Sequence, residues 1–179
     1  MSRIGARPIK IPEGVNVQTT GSGVVISSGE NVLEVPVHPK LAITVAGDNI
    51  VVNRADSSNE AKSLHGLTAR LIANAVAGVK SEFKKDLEFS GTGYRAAVSG
   101  QELILNMGYS HEIRLPIPGD LKVTVAKNTI SITGKRKELV GNFAATVRDV
   151  RPPEVYKGKG IKYKGELIRR KAGKTAASK

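Results

Sequence analysis

Across residues 9–53 apolar and polar side chains alternate in short runs, VNVQT, VVISS, NVLEVPV, LAITV and IVVN, separated by GSG, SGEN and AGDN. Alternation at a period of two sends one face of each run into a core, and the turn residues between them mark chain reversals. The stretch therefore reads as an antiparallel meander. The period then changes. Ser57 stands three residues before Glu60, the spacing in which each side chain satisfies an orphan backbone donor at a helix start. Ala61, Leu64, Thr68, Leu71, Ile72, Ala75 and Val79 follow at helical spacing, with Gly78 near the end. This predicts one helix whose apolar face covers the strands.

The same order then repeats: EFKKDLEFS, YRAAVS, ELILNM, EIRLPI, LKVTVA and TISITG, and a second helical stretch over about 135–150 with Leu139, Phe143, Val147 and Val150 as its stripe. Pro152 and Pro153 lack amide protons and disfavour helix in the preceding residue, so the helix should stop by Arg151. Shifting PVHPKLAITVAGDNIVV by 80 positions sets it over PIPGDLKVTVAKNTISI with six identities in 17. In the helices the better offset is 75, pairing Gly66 with Gly141. The expected fold is α+β: two duplicated domains, each an antiparallel-rich β-sheet packed with one α-helix, spanning 1–82 and 83–179 and joined near 79–83.

Charge breaks the symmetry between the copies. Residues 151–179 hold ten Lys or Arg and two Glu, +8 of the chain's +12. The segment RPPEVYKGKGIKYKGELIRRKAGK, residues 151–174, interleaves these cations with Tyr156, Ile161, Tyr163, Leu167 and Ile168, apolar residues for which a purely solvating tail has little use. A positive field concentrated in a glycine-punctuated segment that folds points to a polyanion, with nucleic acid ahead of acidic protein or lipid. There is no cysteine, hence no disulfide framework and no thiolate chemistry, and a reducing cytosol is the expected compartment. No apolar run approaches the roughly 20 residues of a membrane span, and the opening lacks the uninterrupted apolar core of a secretory signal.

Chemical motifs are few. Gly173-Lys174-Thr175 resembles the end of a phosphate-binding loop, but Ile168 stands where that pattern needs its first glycine. Gly21-Ser22-Gly23, Gly91-Thr92-Gly93 and Gly158-Lys159-Gly160 lack a dinucleotide fingerprint's third glycine, and turns account for the first two. His38, His65 and His111 show no metal spacing, and no carboxylates are forced together locally. No catalytic residue, metal, cofactor or small-molecule substrate is expected. Tyr156, Tyr163 and Arg95 are candidates to stack on bases or meet a phosphate, with core packing open for Tyr163. Arg169, Arg170, Lys171 and Lys174 are candidates for phosphate contact or an idle tail. The classes left standing are an RNA-binding structural protein, a protein-protein scaffold in a ribonucleoprotein particle, and an enzyme acting on a phosphorylated substrate. The charge concentration favours the first.

The duplicated halves, the opening SRIGARPIKIPEGV, SLHGLTARLIANAVAGV, GTGYRA and above all PEVYKGKGIKY resemble the bacterial family of the sixth large-subunit ribosomal protein, over about residues 2–174. Val155 departs from a common proline, and Lys162 from a frequent arginine, keeping the charge but losing a planar bidentate donor. The resemblance implies a non-catalytic, cytoplasmic component of the large ribosomal subunit whose carboxy-terminal half binds 23S rRNA. It further implies a place near the sarcin-ricin loop and the stalk base, beside neighbouring ribosomal proteins. The residues that match by position are Tyr156, Lys157, Gly158, Lys159, Gly160, Lys162 and Tyr163, and less sharply Arg169, Lys171 and Lys174. Arg170 and Lys164 join them on charge.

One further expectation comes from parity. In an uninterrupted strand Lys157 and Lys159 face one way and Lys162 and Lys164 the other. A break at or before Gly160 would shift that register and leave Ile161 and Tyr163 to the core.

Overall fold

The computed structural model describes residues 4–172. The chain divides into two compact units, one formed by residues up to Glu82 together with Lys135–Lys137, the other by Phe83–Gly134 and the chain from Glu138 on. In the first unit β1 (Ile9–Lys10) pairs with β6 (Asn49–Arg54), which pairs with β5 (Leu41–Ala46), while β2 (Asn16–Thr20), β3 (Gly23–Ser28) and β4 (Asn31–Pro36) form a meander. The alternating run thus divides into two short antiparallel sheets. The meander ends at β4, and the hairpin of β5 and β6 closes on the chain's first strand, a pairing across about 40 residues.

α1 (Asn59–Lys80) covers both sheets. Its cap lies one residue later than the S-x-x-E spacing suggests. Ser58 is the N-cap, its Oγ accepting the Ala61 N–H at 3.2 Å. Asp56 fixes Ser58 there by accepting from its N–H (3.0 Å) and hydroxyl (2.7 Å). The third helical residue is then Ala61, which has no side chain to reach back, and Glu60 pairs with Lys40 instead. Ile72, Val76 and Val79 pack with Val24, Ile26, Ile50 and Val52 into one core. Fully burying such a side chain contributes about 1.5–3 kcal/mol, which is what holds short strands in place. His65 joins this core on α1, its Nε2 2.8 Å from the Val52 carbonyl oxygen and its ring against Gly5.

The second unit repeats the plan. β7 (Phe83–Ser90) pairs with β12 (Thr129–Gly134), which pairs with β11 (Leu121–Ala126), and β8 (Arg95–Ser99), β9 (Glu102–Asn106) and β10 (Ile113–Pro116) form the meander. The offset of 80 holds residue by residue. Leu41 faces Arg54 as Leu121 faces Gly134, and Ala46 faces Asn49 as Ala126 faces Thr129. In β12 the alternation puts Ile130, Ile132 and Gly134 inward. α2 (Lys137–Val150) stops before Arg151 and buries Val140, Phe143, Ala144 and Val147, with Leu139 and Val150 packed partly at the margin.

One element has no counterpart among the described residues of the first unit. β13 (Gly160–Tyr163) adds to the outer edge of β7, aligning Ile161 with Phe89 and Lys162 with Glu88.

Candidate nucleic-acid interface

After α2 the chain runs through Pro152 and Pro153 and doubles back on itself. The Glu154 N–H donates to the Lys159 carbonyl (2.9 Å) and the Ile161 N–H to the Arg151 carbonyl (2.8 Å), closing a loop over Val155, Tyr156, Lys157 and Gly158. Two glycines make this path possible. Gly160, at φ +135°, lies so close to the preceding arm that a Cβ would stand 2.6 Å from the Pro152 carbonyl oxygen and 2.7 Å from Pro153 Cα. Gly158, at φ +71°, takes the left-handed backbone that side chains disfavour. Its carbonyl accepts from the Ser90 hydroxyl at 3.2 Å. Regular strand geometry begins only at Gly160, so the break falls where parity required it. Ile161 is fully buried and Tyr163 packs against the same core.

The segment beyond β13 is tied back to the fold by one acid. Glu166 accepts from Arg148 Nε (3.2 Å) and Nη2 (2.6 Å), on the last turn of α2, and from the Tyr163 N–H (2.9 Å). Arg148 chiefly, and then that backbone donor, hold the Glu166 carboxyl below the usual carboxylate range, and Glu166 raises Arg148 in return. A bidentate pair of this kind fixes geometry as well as charge. Past it, the Lys171 N–H donates to the Val155 carbonyl (2.9 Å), and the Arg170 guanidinium lies on Gly158, where a Cβ would stand 3.0 Å from its Nη2.

The candidate residues divide accordingly. Tyr156 is 59 % exposed at the loop tip. Lys157 and Arg169 are exposed and form no ion pair among the described residues. Lys159 reaches the Thr92 hydroxyl at 3.5 Å, and Lys162 meets its cross-strand neighbour Glu88 at 3.5 Å. Lys164 is exposed, with its backbone N–H bonded to the Asp86 carbonyl at 2.9 Å. Tyr163 is half-buried between Lys85 and Arg148, each 5.8 Å from the ring centroid. Core packing, the alternative left open for it, is what the structure shows. Arg95 begins β8, opposite Asn106, on the other sheet of the unit. Lys174 and the Gly173-Lys174-Thr175 run lie outside the described residues.

A model of the family described as "Ribosomal protein L6" matches residues 11–82 and 90–164, one segment for each copy of the duplication. The chain belongs to the ribosomal protein L6 family. Members of this family are structural ribosomal proteins, so this chain is a non-enzymatic ribosomal constituent. Among its relatives, "Large ribosomal subunit protein uL6" of Dictyoglomus thermophilum is 52% identical over 176 residues, 97% of this chain and 98% of that protein. The protein of the same name from Carboxydothermus hydrogenoformans is 50% identical over 176 residues, 98% of this chain and 97% of its own length. That of Desulfitobacterium hafniense is 49% identical over 180 residues, with 100% and 98% covered. The two matched segments agree with the duplicated α+β architecture of this chain.

Sequence reasoning missed several residues that shape this surface. Arg148 and Glu166 are 18 residues apart, and Thr92 and Lys159 are 67 apart. No local spacing announces either pair. The second was hinted at only by the glycines on both sides of Thr92.

Proposed function

We propose that the protein is a structural constituent of the cytoplasmic large ribosomal subunit that binds 23S rRNA mainly through the loop of residues 154–159, β13 and the segment that follows. The observation that carries this reading is the loop itself. Gly158 and Gly160 set its path, Lys157 and Lys159 lie in it, Arg170 and Lys171 pack back on it, and Lys164 and Arg169 add to a segment of net +8. Lysine ammoniums and close-lying backbone suit phosphate and sugar, so recognition is of folded RNA shape rather than of sequence.

The first unit supports a different role. Residues 1–82 carry eight Lys or Arg against seven Asp or Glu, a nearly neutral balance suited to neighbouring ribosomal proteins. The place near the sarcin-ricin loop and stalk base follows from family likeness and belongs to the same proposal. Sedimentation of large subunits washed in rising salt tests the function. The protein should stay with the subunit at low salt and leave in a salt-dependent manner, and crosslinks from Lys157 should map to 23S rRNA in that neighbourhood. Failure to cosediment at any salt would overturn it.

A further inference from the structure

A second exposed patch adjoins the glycine loop and is built of flat groups rather than ammoniums. The Arg151 guanidinium lies over the Tyr109 ring, 5.1 Å from its centroid, and the His111 ring stacks with Tyr109 at 6.2 Å and 28°. The patch is continuous with the loop. Arg151 offers its carbonyl to the Ile161 N–H, and Lys159 touches Thr92 in the 91–94 turn. That turn lies on the Tyr94 ring, which also packs under Gly108, the residue before Tyr109. Tyr109 is fixed in place because its hydroxyl donates to the Val150 carbonyl at 2.9 Å, closing one of the acceptors that the end of α2 leaves open. Helix capping explains that hydroxyl. The Tyr109 and Tyr94 hydroxyls in turn hold the Arg151 guanidinium and raise its pKa, but neither role explains why the Tyr109 ring stays 43 % exposed with an exposed imidazole stacked beside it.

The geometry points to Arg151, Tyr109 and His111 as a stacking platform for an unpaired base of the large-subunit RNA, separate from the phosphate contacts of the loop. This rests on the rRNA reading above and adds to it a contact of another chemical kind. RNA that presents splayed bases is recognised by aromatic and guanidinium planes, and such contacts tolerate any base because every base has a π-face. A pre-stacked platform also loses little side-chain freedom when the base arrives.

The two kinds of contact separate in a salt titration, because a lost phosphate contact lowers the slope of log affinity against log salt by roughly 0.7–0.9 whereas a lost stack leaves it unchanged. Binding to 23S rRNA would be measured for the wild type, Tyr109→Leu, His111→Ala and Tyr109→Phe, with circular dichroism and thermal unfolding as checks of fold. Tyr109→Leu should weaken binding about tenfold and His111→Ala about threefold at constant slope, with Tyr109→Phe within about twofold of wild type. If Tyr109→Leu does not fold, His111→Ala, which removes an exposed ring, decides alone. Unchanged affinity in the folded variants, or a reduced slope, would overturn the platform and leave the function standing. A wild-type protein that does not bind 23S rRNA would overturn the function and the platform with it.

Discussion

At the outer edge of β1 the first unit presents Pro8, Lys10 and Pro12, whereas at the matching edge of β7 the second unit carries β13. The Ile11 N–H donates to the Asp48 carbonyl (2.7 Å) and the Phe89 N–H to the Asn128 carbonyl (3.0 Å), so Ile11 and Phe89 occupy the same place and turn inward. Their neighbours turn outward. In the second unit these are Asp86, Glu88 and Ser90, and the Asp86 carbonyl accepts from Lys164. In the first they are Pro8, Lys10 and Pro12, two of which have no N–H to give a further strand. Proline and lysine at such an edge resist strand addition. Lys10, standing where Glu88 stands, would also repel the cation that Glu88 pairs with. The two units thus share one scaffold, and the basic segment adds to the unit whose edge accepts a further strand.

Substitutions in the two units should break or sharpen this contrast. The largest effect is expected at Gly160. Gly160→Val drives a side chain into the Pro152 and Pro153 backbone at a disfavoured φ, at a cost of about 3–5 kcal/mol. It should weaken rRNA binding more than any single lysine-to-glutamine change. Gly21→Ala, in a first-unit turn with nothing within 4 Å of its Cβ site, should change neither unfolding midpoint nor binding.

Next is Ile161→Ala, which empties a fully buried site and should lower stability in urea by about 2–5 kcal/mol. This outcome would show that the added strand is part of the second unit's core. A loss below about 1 kcal/mol would make it an appendage.

Glu166→Gln should cost about 1–2 kcal/mol, because the Arg148 guanidinium is left with a weaker partner. The native carboxyl, lowered by Arg148, binds a proton less readily than its unfolded form. Its stabilisation is therefore complete above the ordinary Glu range and is lost as pH falls through the lowered value. Stability measured against pH should lose part of its acid limb in the variant. Glu60, lowered likewise by its exposed pair with Lys40, should contribute a smaller part of that limb because solvent screens the pair, so Glu60→Gln should change it less.

The smallest effect lies in a turn. Lys127 holds φ +52° where the first copy has Gly47 at φ +56°. Lys127→Gly should raise the thermal midpoint, equivalent to about 0.5–1 kcal/mol, and Gly47→Lys should lower it by a similar amount.

The features legible in the sequence are the local ones and the repeated ones. Periodicity located both helices, Pro152 and Pro153 marked the end of α2, and the 80-residue offset set the stretch holding β5 and β6 over the one holding β11 and β12. Parity placed the break at or before Gly160, because alternation is a backbone property that the spacing of lysines can probe. What stayed hidden depends on distant partners. β1 closes a sheet only by pairing with β6, so an alternating run could not show where one sheet ends. Ser57 and Ser58 are equivalent as caps until Asp56 selects between them. Tyr109 and Arg151 meet across 42 positions, and nothing around either names the other.

The Arg148–Glu166 clamp has a consequence for the order of events in particle assembly. Together with the Ser90 hydroxyl on Gly158 and the glycine contact with Pro152, it sets the loop's shape through contacts within the chain itself. A chain that must fold on its partner gives up ordering entropy at the moment of contact and waits for a productive conformer. On the function proposed above, this loop would meet RNA already formed, and its capture rate would be governed by collision and by the long-range pull of its charges, so that the protein docks as soon as its site on the RNA has folded.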